Sequence, residues 1–140
     1  MPKADFYLID KPRFRAEPWR LVCELAKMAF EAGLPTLVLA RTQEQAEALD
    51  EQLWEFDPDA YVPHQLAGEE DDAEAPVLIV APGVATPDRA MVINLRDACA
   101  VGTFDSVKEV VPADESERTG SRARWTEYKQ RGFAVRKFDM

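Results

Sequence analysis

The 140-residue chain has one histidine, two cysteines and six scattered glycines. Each scarcity removes a class of function. His64 has no second histidine to share a metal, and no short-spaced set of His, Cys and carboxylate ligands surrounds it. Cys23 and Cys99 lie in apolar segments and form no CxxC pair. They read as buried free thiols in a reducing compartment, hence a cytoplasmic protein. The glycines build neither G-x-G-x-x-G nor G-x-x-x-x-G-K-[ST], so the first strand, ending in "LIDKPRF", offers no backbone cradle for phosphates. A dinucleotide site of the usual kind is not expected, nor any other cofactor. No apolar run approaches the roughly 20 residues that cross a bilayer. The N-terminus has no signal-peptide pattern, because acidic residues precede any long apolar stretch.

What is abundant is apolar and acidic. Hydrophobic residues make up 46% and charged residues 31%, the balance of a folded domain with a core. Net charge is −9, which argues against wrapping DNA. That charge is unevenly spread. From Arg118 to Lys137 there are seven Lys/Arg and one acid, Glu127, a local net of +6, so the remainder carries −15.

The hydrophobic pattern predicts β-α-β-α-β-β-β-α-β. "DFYLID" (5–10) reads as a strand, and "KPRFRAEP" as a break. A helix follows, with Pro18 in its first turn, Gly33 as its stop, and Leu21, Val22, Leu25, Met28 and Ala29 on one face. "TLVLA" reads as a buried strand. Thr42 and Gln45 form a capping box that opens a helix with Ala46, Leu49 and Leu53 as its apolar stripe. "DPDAYVPHQLAGEEDDAEAP" reads as a long loop. "VLIVA", "MVINL" and "SVKEVVP" are strands, a last helix runs from about Glu115 to Arg131 with Gly132 as its stop, and "FAVRKFD" is an edge strand or tail. The expected fold is a single three-layer, Rossmann-like α/β domain over 1–140, with a mainly parallel central sheet and helices on both faces. Such a fold implies no activity by itself.

No catalytic constellation emerges. His64 beside Glu69 or Glu70 is conceivable as a general base, but no nucleophile or orienting group accompanies it, and a structural histidine is the preferred reading. "GEEDDAEA" lacks the glycine-centred spacing of a calcium loop and reads as a solvated acidic loop.

The last helix is where the sequence carries a functional signal. Arg118, Arg122, Trp125 and Lys129 follow spacings of four, three and four, so they line one side. Guanidinium groups grip carboxylates in pairs of hydrogen bonds, and an indole adds flat apolar area beside them. The strip suits an acidic peptide with an apolar end, or single-stranded nucleic acid stacked on the ring. The plain alternative is a solvated helix face whose tryptophan packs inward. Arg124 and Arg131 lie off the strip and read as general surface charge, while Tyr128 and Phe133 read as packing beneath it. Trp54 and Phe56, with Tyr61 a few residues on, mark a second aromatic position, either a cap over the core or an interface anchor.

These residues resemble a known family. "ADFYLID", "LVCELA", "ALDEQLWEFDPDAYVPHQLAGE", "INLR" and "EVVPADES…RARWTEYKQRGF" occur in order along the whole chain, with "VPHQLAGE" and "YKQRGF" the most specific. They are similar to the chi subunit family of the bacterial DNA polymerase III clamp loader. The resemblance implies a Rossmann-like fold with no catalysis of its own, no cofactor, and DNA contact only through other proteins. It implies a bridge between the psi subunit and the acidic C-terminal tail of single-stranded DNA-binding protein. In that family the tail ends in a hydrophobic residue with a free carboxylate. The tail-binding basic positions fall on Arg118 and Arg122, and the neighbouring aromatic position, commonly tyrosine, on Trp125. A lysine that follows in some members is Thr126 here, and Lys129 is expected to substitute. The psi-facing aromatics fall on Trp54 and Tyr61, and some members receive a helicase on the same surface. A nucleotide-binding enzyme and a direct single-strand-binding module are the competing readings.

Overall fold

A computed structural model describes residues 1–55 and 61–140. Phe56 lies outside the described residues. The chain order is β1 (Lys3–Leu8), α1 (Pro12–Ala16), α2 (Pro18–Glu31), β2 (Thr36–Leu39), α3 (Gln43–Glu55), β3 (His64–Leu66), a 3-10 turn at Asp72–Glu74, β4 (Val77–Val80), β5 (Met91–Asn94), β6 (Ser106–Val111), α4 (Glu115–Gln130) and β7 (Ala134–Asp139). The strands form one sheet in the order β3-β4-β2-β5-β6-β1-β7, and every pairing is parallel.

Alternation along the strands sends side chains to two faces. On one, Ile9, Val38, Val77, Ile79, Ile93 and Val110 meet the buried stripes of α2 and α3. On the other, Ala4, Phe6, Val92, Val107 and Val111 pack against Tyr128 of α4. The three-layer arrangement with helices on both faces is therefore present. None of the described helices is long and apolar enough to cross a membrane.

Three local expectations are corrected. "KPRFRAEP" does not break the chain. It holds α1, a helix of five residues that begins at Pro12 and is anchored by buried Phe14. A helix this short shows no periodicity to read. The predicted long loop contains β3, three residues paired in parallel with β4. A strand so short and partly polar has no alternation to reveal it. Met28 leaves the buried face of α2, where it is 64% exposed, while Cys23 and Ala26 join Leu21, Val22, Leu25 and Ala29 inside.

The Thr42–Gln45 cap forms by half. Thr42 Oγ1 accepts from the Gln45 amide at 3.0 Å, but the Gln45 side chain accepts from the amide of Arg41, at 2.6 Å, one residue earlier than the reciprocal box requires. Both cysteines are buried, and burial pushes each thiol up to about 12, which keeps them protonated.

Candidate functional site

α4 and β7 together build the basic end of the molecule. Asp114 caps α4 by accepting from the amide of Ser116 at 2.8 Å, and Glu115 and Glu117 place negative charge in its first turn. At its other end the amide of Gly132 donates to Lys129 O and that of Phe133 to Tyr128 O. This closing motif needs a left-handed residue, and Gly132 supplies it with φ 89°. The chain then turns straight into β7, the edge strand beside β1.

The inner side of α4 carries a polar network the sequence reading missed. Arg124, expected at the surface, is 5% exposed, and its Nε donates to Oε1 of fully buried Glu109 at 2.8 Å. Asn94 Nδ2 and Tyr128 OH donate to the other Glu109 oxygen at 2.6 and 2.7 Å. The Tyr128 hydroxyl in turn accepts from the amide of Ala100 at 2.9 Å. Burial pushes the Glu109 carboxyl above the usual glutamate range, and its three donors oppose that push by favouring the charged form. The network ties α4 to β5, β6 and the loop after β5. The available sequence signal is Ser121, Arg124 and Tyr128 at spacings of three and four, the side of the helix adjoining the basic strip.

That anchoring leaves a cleft of about 450 Å³ between α4 and the β1–β7 edge. Phe6 and Leu8 form its floor, Arg118, Ser121, Arg122, Trp125 and Thr126 its helical wall, and Lys137 enters from β7. Among the described residues three cations and no acid line it. Trp125 is half-buried and packs on Phe6, with ring centroids 5.2 Å apart at 54°. Arg118 Nη2 donates to Ile9 O at 2.7 Å, while its Nε is buried without a hydrogen-bond partner among the described residues. Arg122 is exposed, and its Nη1 lies 3.9 Å from Glu115 Oε1. Of the strip read from the sequence, Arg118, Arg122 and Trp125 thus come together. Lys129 is exposed further along α4 and is not among the lining residues. Lys137, which helical spacing could not indicate, lines the cleft instead.

Trp54 and Tyr61 meet at the other side of the molecule. They are 50% and 65% exposed, with rings 5.4 Å apart at 32°. Trp54 also lies over His64, with centroids 4.5 Å apart. The His64 ring is buried. Its Nδ1 is 2.7 Å from Val62 O and its Nε2 is 2.9 Å from Asp50 O. The histidine therefore holds the chain beneath the aromatic pair, as the structural reading expected.

A smaller cleft of about 280 Å³ lies past the C-terminal ends of β2, β5 and β6, lined in part by Arg41, Leu95, Pro112 and Glu117. Crevices at strand ends of this kind hold ligands in many parallel sheets. Here Arg41 donates to both Glu117 oxygens, at 2.7 and 2.9 Å, and pairs with Asp97 at 3.0 Å. Arg41 in turn holds the Glu117 carboxyl below the usual glutamate range. The arginine at this crevice is thus engaged by the protein itself. Among the described residues no group of three or more His, Cys, Asp or Glu is placed to hold a metal ion.

In solved structures the fold is shared with a Saccharomyces cerevisiae Dbp5 variant bound to ADP and partner proteins. The TM-score is 0.63 at 14% identity, covering 97% of this chain and 41% of that one, a likeness of fold alone. The chain is 34% identical over 139 residues to the DNA polymerase III subunit chi of Escherichia coli (strain K12), covering 95% of each. It is 32% identical over 142 residues to the subunit of the same name from Pseudomonas aeruginosa, covering 96% of this chain and 94% of that one. The Haemophilus influenzae protein of that name is 29% identical over 116 residues, 81% of each. The family model described as DNA polymerase III chi subunit, HolC, matches residues 1–136. With the match running through both the aromatic pair and the basic cleft, the chain belongs to the DNA polymerase III chi subunit family.

Proposed function

We propose that this accessory subunit of the replicative polymerase is a non-catalytic bridge. Its basic cleft receives the acidic C-terminal tail of single-stranded DNA-binding protein, and its Trp54–Tyr61 surface receives the psi subunit of the clamp loader. The observation that carries the reading is the cleft itself: three cations, no acid, and an apolar floor of Phe6 and Leu8 beside Trp125, in a chain of net charge −9. Arg118 and Arg122 offer donors to the tail's carboxylates, and the floor accepts its apolar last side chain. The acidic remainder of the molecule repels nucleic acid phosphates, which favours a polypeptide ligand over DNA. Strand order supports simultaneous occupancy. β3, beside the aromatic pair, and β7, beside the cleft, are opposite edges of the sheet. Six strand spacings separate them, about 29 Å.

Exposed charge contacts contribute about 0–1 kcal/mol each, so tail binding is modest and salt-sensitive. In isothermal calorimetry with a tail peptide, Arg122→Ala weakens binding several-fold and leaves psi binding unchanged. Equal tail affinity for Arg122→Ala and the parent refutes the assignment of this cleft. Tight oligonucleotide binding at physiological salt, read by fluorescence anisotropy, favours direct single-strand binding instead.

A further inference from the structure

Resting on the tail reading above, we infer that Lys137 recognises the terminal carboxylate of the bound peptide, while Arg118 and Arg122 serve the acidic residues before it. A peptide's last residue carries its side chain and its free carboxylate on one Cα. When that side chain lies on an apolar floor, the cation for the carboxylate must stand beside the same floor. Lys137 meets this condition. It is the register partner of Phe6 on the neighbouring strand. Paired residues of parallel strands point to one side of the sheet, and Val135, two residues earlier in β7, packs with Phe6 in the cluster beneath α4. Trp125 packs on Phe6 from the helix. Lys137, Phe6 and Trp125 thus cross the cleft in that order.

The other cations are less well placed for this task. Arg118 commits Nη2 to the carbonyl of Ile9, just past the C-terminal end of β1. Arg122 stands on the exposed helical wall with Glu115 nearby. On the other face of these strands Arg136 and Lys108 both pair with Asp5 and so do not reach the cleft. Lys137 makes no ion pair with any described residue. An ammonium on a flexible stem, with three donors, suits a single carboxylate. Lys137 also restores the third positive charge that a lysine at position 126 would carry, and does so from β7 rather than from α4.

The test uses the full chain and a synthetic acidic peptide ending in phenylalanine, made as the free acid and as the C-terminal amide. Calorimetry is run on the parent protein and on Lys137→Ala, Lys129→Ala, Arg122→Ala and Trp125→Ala. Lys137 is exposed, so its replacement leaves folding intact, which circular dichroism checks. Lys137→Ala is expected to weaken the free acid about fivefold, the upper end for an exposed charge contact, and to add no loss to the amide. Lys129→Ala binds both peptides as the parent does. Free-acid affinity unchanged in Lys137→Ala, or equal losses on acid and amide, overturns the inference while the tail reading stands. Unchanged free-acid binding in Arg122→Ala overturns the tail reading itself, and unchanged binding in Trp125→Ala as well removes the apolar floor from it.

Discussion

Arg118, Arg122 and Arg124 sit within two turns of one helix, and their surroundings give each a different task. Arg118 is half-buried and spends one nitrogen on the backbone of Ile9. Arg122 faces solvent. Arg124 is inside, held by Glu109 and also donating to Asp97 O at 3.2 Å. A buried ion pair adds little net stability when intact, but removing one partner strands the other charge at a cost of about 3–5 kcal/mol. Arg124→Ala should therefore lower unfolding free energy by that amount in urea titrations. The double change Glu109→Gln with Arg124→Met should recover much of it. A loss below about 1 kcal/mol in the single variant would show that the network does not anchor α4.

At the scale of elements, α4 is fastened at three levels. Arg124 holds its middle and Tyr128 its last turn to β6, the Gly132 motif fixes the angle at which β7 departs, and Arg41 clasps Glu117 in its first turn from just past the end of β2. The last contact gives the fastening a pH dependence. Because the Glu117 carboxyl lies below the ordinary value of 4.5 in the folded protein, the unfolded chain binds the extra proton as acid is added. The contribution is complete above that ordinary value and fades as pH falls through the lowered one. Urea midpoints measured downward from pH 6 should therefore fall less steeply for Glu117→Gln than for the parent. Parallel curves would mean that the Arg41 clasp is not felt in stability. The same elements show what was legible beforehand. α4 is legible to within one residue of its end, because Gly132 and a long segment of helical spacing mark it, while its Asp114 cap is a finding of the structure. α1 and β3 were invisible, because five and three residues are too few to display a period.

For the whole molecule, the arrangement of the sheet matters most. β1, first in sequence, lies between β6 and β7 near one edge, so the floor of the cleft and its two walls come from both ends of the chain. The aromatic pair is at the other edge. Binding at either should be independent, since no shared side chain connects them. Trp54→Ala should weaken psi binding by 2 kcal/mol or more if the ring is an anchor of the usual kind. Tail-peptide affinity should stay within twofold. A tail peptide should also remain bound when psi is added to saturation. Competition between the two ligands would contradict a bridge.

The sequence by itself determined the α/β class, the parallel βαβ opening and the basic aromatic side of the last helix. Each is written in local terms: apolar runs of strand length, helical spacing, and capping residues read over a few positions. Its order of motifs also carried the family. Only the tertiary structure decided which arginine is buried, that Met28 faces solvent, and that Lys137 rather than Lys129 lines the cleft. Those outcomes depend on which strand lies beside which and on what each side chain finds across the gap, and such contacts join residues far apart in the chain. Arg124 meets Glu109 fifteen residues away, and Lys137 stands beside Phe6 across nearly the full length of the protein.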